Sequence, residues 1–357
     1  MPDSTTSPPL LRISVLDQTP VPEGTTSASA LRNSIDLARH ADALGFHRYW
    51  VAEHHGSPMI AGPSPEVLIS AIASATPRVR VGSGGVMLPH YSALKVAENF
   101  SVLAGLFPDR IDLGLGRAAG TDPETAFALQ RDRRQRSPDD FPQQLAELLG
   151  YLRDRLPRDH PFRRLAALPG LPERPEPWLL GSSPQSAIWA AELGLPYAFA
   201  DFINPAGAEI AALYHDRFQP SEELAEPRVM VAVSAISADS SAEAERLASS
   251  MRMAITLLHA GSSIAVPTVE RALEFLERHP SPHGMPRSRR AVVGDAAAVK
   301  AGLEAVAYEY GAEEVMVVTI THDHAARVHS YELLADAFGL ESAGRPVSTT
   351  RRETQPA

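Results

Sequence analysis

Three short apolar runs between Arg48 and Gly120 constrain this chain more than any other feature. Each ends in glycine, histidine or arginine, and segments of helical period separate them. The runs RYWVAEHHGSP, VRVGSGGVMLPHYSALKVAENF and RIDLGLGRAAG read as consecutive β–α units of a parallel barrel. In such a barrel the chemistry lies at the carboxyl ends of the strands. Glu53-His54-His55, Gly82-Ser83-Gly84-Gly85 and Gly114-Leu115-Gly116-Arg117 would then converge on one mouth.

The same alternation extends to both sides. Leu11–Leu16 reads as a first buried strand, followed by an amphipathic helix over Ser27–Leu44 that Gly45 stops. Further strands are expected at Tyr49–Ala52, Val79–Gly84, Ile111–Leu115, Trp178–Leu180, Tyr197–Ala200, Arg228–Ile236 and Glu314–Thr319. Helices are expected between them at Pro65–Thr76, Ala93–Leu106, Phe141–Leu152, from Pro184 to Leu193, Pro205–Phe218 and Asp295–Tyr310, with a last one at Asp323–Phe338. This is a (β/α)8 TIM barrel spanning 10–340, with an excursion over 121–176 after strand four and a second insertion over about 238–290 after strand seven. Two helical patterns, Ala242–His259 and Thr268–Glu277, fall inside the second insertion, which reads as a lid or substrate-contacting region. Residues 1–9 and 341–357 read as disordered tails. A doubly wound open sheet is the alternative, because periodicity does not reveal closure.

Composition removes several function classes. A net charge of −10 disfavours nucleic acid as a partner, because phosphate neutralisation needs a basic surface; the one dense basic run, Arg131–Arg136, reads as a solvated face. The absence of cysteine excludes a disulfide framework and thiolate chemistry. No apolar run is long enough to span a membrane and no secretory signal is visible, so a cytoplasmic location is expected.

Gly114–Gly120 resembles a dinucleotide fingerprint, but it continues into Thr121-Asp122-Pro123-Glu124 rather than a long apolar helix, which argues against that reading. A planar ligand lying against backbone fits better. Gly84 and Gly85 would let a ring system approach, and Arg117 is placed to pair with a phosphate. Ser182, Ser183 and Ser186 lie where a helix N-terminus would add N–H donors; in isolation they also read as helix caps. Adjacent histidines on an extended segment point to opposite sides, so His54 and His55 are not expected to share a metal ion. His54 is the candidate for proton transfer, and His90, His259, His322 and His324 are further histidines without an assigned role.

These motifs, together with SVLD near the start and LGLPYAF later, resemble the bacterial luciferase-like flavin-dependent monooxygenases, in particular their single-chain group. The likeness covers nearly all of 10–340 and is weakest over 121–175 and 238–290. It implies a barrel binding reduced FMN at its carboxyl face. The family's non-proline cis peptide behind the flavin matches Gly84–Gly85, and its phosphate ligands match Arg117, Ser182, Ser183 and Ser186. Ala119 falls among the cofactor-contacting positions, and the histidine near the flavin matches His54. Gly116 stands where luciferase has a reactive cysteine, and luciferase's mobile loop would fall within about 259–290. The implied activity is a monooxygenase that takes FMNH2 from a separate NAD(P)H:flavin reductase and oxygenates an aldehyde, ketone or aromatic substrate through a peroxyflavin, with O2 as co-substrate. The implied assembly is a homodimer through the helices at 65–76 and 93–106. A deazaflavin-dependent reductase on the same barrel and a non-catalytic FMN-binding protein are the alternatives.

Overall fold

The computed structural model describes residues 11–117, 122–130, 134, 140–279 and 291–342. The tails at 1–9 and 343–357, Ala119, the stretch 280–290 and all of the basic run 131–136 except Arg134 lie outside the described residues.

In chain order the strands are β1 (Arg12–Asp17), β2 (Arg48–Val51), β3 (Arg80–Met87), β4 (Ile111–Gly116), β5 (Glu176–Gly181), β6 (Tyr197–Ala200), β7 (Val229–Ala238), β8 (Ala291–Asp295) and β9 (Glu314–Val318). The helices are α1 (Ser27–Leu44), α2 (Pro65–Ala75), α3 (Ala93–Leu106), α4 (Pro123–Leu129), α5 (Phe141–Leu152), α6 (Pro184–Glu192), α7 (Ala208–Arg217), α8 (Ser241–His259), α9 (Val269–Arg278), α10 (Ala296–Tyr310) and α11 (His324–Phe338). Local chemistry sets many of the ends. Thr26 caps α1 by accepting the Ser29 N–H, and Gly45 ends it at φ 87°, a left-handed conformation that glycine adopts without steric cost.

Eight strands pair in parallel in the order β6-β5-β4-β3-β2-β1-β9-β7, and a β6–β7 pairing closes the ring. The expected closed barrel is therefore present, with its excursions after β4 and β7. One strand was not legible. β8 pairs with Ser234–Ala238, the carboxyl half of β7, which runs on beyond the barrel wall. Its five residues, AVVGD, are mostly half-buried and run straight into the Asp295 cap of α10, so no alternation marks it off from the helix.

Strand side chains alternate between two apolar regions. Ile13, Val15, Tyr49, Val51, Val81, Leu113, Leu179 and Val317 pack outward against the helices, whereas Leu16, Trp50, Ala52, Trp178, Met230 and Met316 fill the interior. Below that interior, at the amino end, lies a plug of charge. Arg48, 2% exposed, donates to Asp112 at 2.8 Å, to Glu176 at 3.1 Å and to Glu314 at 3.2 Å. Arg80 reaches Asp112 and Glu176, and Arg228 reaches Glu176. The Arg48 and Arg228 guanidiniums lie 4.9 and 4.6 Å from the centre of the Trp178 ring. Burial, reinforced by neighbouring Arg48, pushes the Arg228 pKa down to about 10. Charges this deep are tolerable only because each finds an opposite partner. Among the described residues no helix is long and apolar enough to cross a membrane.

Candidate active site at the carboxyl end of the barrel

At the end of β2 the strand alternation continues into Glu53-His54-His55 and separates the two histidines. Glu53 is fully buried. Its carboxylate accepts the Met87 N–H at 2.9 Å, the Tyr91 hydroxyl at 3.0 Å and the His55 Nε2–H at 2.8 Å. His55 thus faces Glu53 and lies edge-on to His90, with ring centres 5.8 Å apart. His54 is held differently. Its backbone N–H donates to the Gly62 carbonyl at 2.9 Å, and its Nδ1 is buried without a hydrogen-bond partner among the described residues. Burial lowers the imidazole pKa to about 4, with a smaller contribution from His55. A neutral ring with an unsatisfied nitrogen results, and leaving such an atom unpaired costs about 1–3 kcal/mol.

The glycines of β3 have a packing role that the sequence reading missed. The Gly84–Gly85 peptide is cis. A Cβ on Gly84 would lie 2.6 Å from Leu16 Cδ1 and 3.3 Å from Trp50 Cβ, and one on Gly85 would lie 2.8 Å from the Gly114 carbonyl oxygen. The Gly85 position therefore excludes a side chain whether or not a ring system approaches, and one at Gly84 would require Leu16 to shift. The β3–β4 register shifts between Ser83 and Val86, so the glycine run lies within β3 rather than ending it, and the strand continues to Met87.

Arg117 follows β4 directly, with its guanidinium 5.6 Å from the centre of the Trp189 ring on α6. The serines behind it divide by role. Ser183 caps α6, accepting the Ser186 N–H at 3.4 Å. Ser186 is buried and spends its hydroxyl on the Ser183 carbonyl at 2.7 Å and the Tyr197 hydroxyl at 2.9 Å. Ser182 is half-buried, and its carbonyl accepts from Asn204 Nδ2 at 3.1 Å. Arg117 and the start of α6 thus bring a positive charge and helix N–H groups to the β4–β5 corner, a suitable seat for an anion. The Ser186 hydroxyl joins the Ser183 carbonyl to Tyr197 at this corner.

The remaining histidines sit in other bonds. His322 Nε2 lies 3.1 Å from the Glu23 carbonyl, and His324 Nε2 lies 2.8 Å from the Asp36 carboxylate. No group of three or more histidine, aspartate or glutamate side chains among the described residues is arranged to hold a metal ion. Glu53 is the site residue that sequence reasoning undervalued: it was given no role of its own, whereas its carboxylate ties the ends of β2 and β3 together.

Comparison with known proteins agrees with this layout. The family model for luciferase-like monooxygenases matches residues 11–314. A luciferase-like monooxygenase of Escherichia coli strain K12 is 41% identical over 328 residues, which is 91% of this chain and 96% of that one. The N-acetyl-S-alkylcysteine monooxygenase of Bacillus subtilis strain 168 is 36% identical over 331 residues, covering 92% of this chain and 98% of that one. The crystal structure of apo-MsnO8 superposes with a TM-score of 0.86 at 42% identity, covering 93% of this chain and 99% of that chain. With its closed barrel and a match over most of its length, this chain belongs to the luciferase-like monooxygenase family.

Proposed function

We propose that the protein is an FMN-dependent monooxygenase that takes FMNH2 from a separate NAD(P)H:flavin reductase and uses O2 to oxygenate a small organic substrate. The observation that carries the reading is the buried Nδ1 of His54, which lacks a partner among the described residues at the end of a family barrel whose β4–β5 corner offers Arg117 and the amino end of α6. These residues fit the group. Arg117, the α6 N–H groups, Ser182 and Ser183 would hold the phosphate, and the Gly84–Gly85 backbone would back the ring system. His54 would hold or release a proton beside it. Bound reduced FMN would supply the electrons that activate O2.

The insertion over 238–290 would exclude water, since α8 and α9 share one apolar cluster with the inner barrel residues. The substrate classes are an aldehyde, a ketone or an aromatic ring, and the thioether named in the B. subtilis relative belongs beside them. Val67 on α2 and Val102 and Leu106 on α3 are exposed, which supports a homodimer through those helices. The test is a panel of such substrates incubated with protein, FMNH2 and isotopically labelled O2. Label in the product is expected. Failure to bind FMN, binding of a deazaflavin in its place, or FMN binding with no label in any product would overturn the proposal.

A further inference from the structure

We propose that Asp17, Thr19 and Arg327 are positioning residues for His54: an ion pair buried outside the barrel holds the turn after β1, and that turn holds the loop presenting the imidazole. The proposal takes the role of His54 from the flavin reading. Its test is read in ligand-free protein, so the two can fail separately.

The connection starts at Asp17, the last residue of β1, which is fully buried. Its Oδ1 accepts Arg327 Nη2 at 2.7 Å and the Thr19 N–H at 2.6 Å, and its Oδ2 accepts the Tyr49 hydroxyl at 2.6 Å. Arg327 comes from α11, is 2% exposed and also donates from Nε to the Thr319 carbonyl at 2.8 Å. Thr19 adopts φ 52°, a left-handed conformation that a β-branched side chain disfavours and keeps only when its surroundings enforce it. Two contacts do so: the carboxylate on its N–H, and the Ser34 hydroxyl donating to its Oγ1 at 3.2 Å.

From Thr19 the restraint passes to the loop after β2. The Thr19 carbonyl accepts the Ala61 N–H at 2.9 Å, Pro20 bridges Ile60 in antiparallel fashion, and the Val21 N–H donates to the Met59 carbonyl at 2.8 Å. Gly62, next to Ala61, accepts the His54 N–H at 2.9 Å. A Cβ on Gly62 would lie 2.8 Å from the Ala52 carbonyl oxygen and 3.7 Å from Thr19 Oγ1, so this residue is wedged between the turn and the end of β2. Two hydrogen bonds and one peptide step therefore separate the left-handed threonine from the backbone of His54. If the turn relaxes, the 53–62 loop loses the pairing that holds His54 in its half-buried position with Nδ1 out of solvent.

The experiment follows the His54 ring in histidine-labelled, ligand-free protein by NMR titration, with the signal assigned from its absence in His54→Asn. Two variants break the connection at different points. Thr19→Pro removes the N–H and forbids the left-handed φ while leaving the ion pair whole. Asp17→Asn combined with Arg327→Met removes both charges together, so neither is left buried alone. Tyr214→Phe, which deletes a buried hydroxyl bonded to the Leu195 carbonyl and the Arg228 N–H, is the control for general loss of stability. In wild-type protein and in the control the ring is expected to titrate near 4. In folded Thr19→Pro and in the folded double variant the midpoint should rise by about one pH unit or more toward the ordinary value of about 6.5. A wild-type midpoint in either folded variant would overturn the proposal, as would an equal shift in the control.

Discussion

The depressed pKa of His54 makes the stability of the fold depend on pH in a way that one substitution isolates. An imidazole that titrates near 6.5 in an unfolded chain and at about 4 when folded resists protonation in the native state by on the order of 3 kcal/mol. Because the folded value is the lower one, the unfolded state takes up the proton first as pH falls. The stabilisation is therefore complete above about 6.5 and shrinks through the window down to about 4, where the loss levels off. At pH 5 about 2 kcal/mol should already be gone. His54→Asn keeps a polar group of similar size but has no proton to take up. The difference between wild-type and variant unfolding free energies should therefore fall by about 3 kcal/mol between pH 7 and 4. His47 and His215, whose pKa values burial also lowers, are present in both proteins and cancel. Urea unfolding across the pH series, with tryptophan fluorescence and far-ultraviolet circular dichroism required to coincide, measures it. A difference that stays constant within about 0.5 kcal/mol across the series would refute the reasoning, because the His54 ring would then be exchanging protons as if in water.

Three other outcomes follow from the geometry. Arg117→Met should weaken FMN binding by roughly tenfold or more, the worth of a charge-assisted bond to phosphate, and Trp189→Leu by only a few-fold, as for a partly exposed cation–π contact; flavin fluorescence titration reads both. Arg48→Met leaves Asp112 and Glu314 buried without their main counter-charge and should cost about 3–5 kcal/mol in urea unfolding; a loss under about 1 kcal/mol would mean the plug is solvated. Gly114→Ala would drive a Cβ into the Ser83 carbonyl oxygen and to 2.9 Å from Leu180 Cδ1, forcing β3 and β4 apart, so little folded protein is expected from soluble expression and thermal melting.

The barrel was legible because its signal is local. Each strand from β1 to β6 is a short apolar run ending in turn or cap residues, and that pattern survives in the sequence without knowledge of any partner. The long-range pairings carry no such mark. Arg48 and Glu314 lie 266 positions apart, and nothing near Arg48 distinguishes an ion-paired core arginine from a polar residue at a strand entrance. The left-handed Thr19 is equally silent, because a threonine before proline carries none of the glycine or asparagine signal by which such turns are recognised. Ser186 is a residue whose position was legible and whose contacts were not. Its position at a helix start was informative, but only the packing shows that its hydroxyl is committed to Tyr197.

One part of the site geometry was present in the sequence in a form that the three-dimensional structure makes readable. Inward residues of a strand recur at every second position, and along four neighbouring strands the last of them is smaller than the one before it or is glycine. β2 and the residue after it run Arg48, Trp50, Ala52; β3 runs Arg80, Gly82, Gly84; β4 runs Asp112, Gly114, Gly116; β5 runs Glu176, Trp178, Leu180. The charges and ring systems fill the amino end. Gly82 at the middle level is needed to admit an indole, since a Cβ there would lie 2.7 Å from Trp50 Nε1. Above Trp50 and Trp178, themselves packed edge to face with centres 5.5 Å apart, the inward positions of these four strands carry alanine, glycine and one leucine, with Leu16 of β1 packed against Gly84. The chain itself fills much of the space these glycines leave, since a Cβ would lie 2.6 Å from Leu16 Cδ1 at Gly84, 2.9 Å from Leu180 Cδ1 at Gly114 and 3.2 Å from Met87 Sδ at Gly116. The taper therefore follows from packing among β2 to β5, and the ligand seat proposed between His54 and Arg117 rests on the unsatisfied His54 ring nitrogen and the Arg117 charge, which the Arg117→Met titration tests.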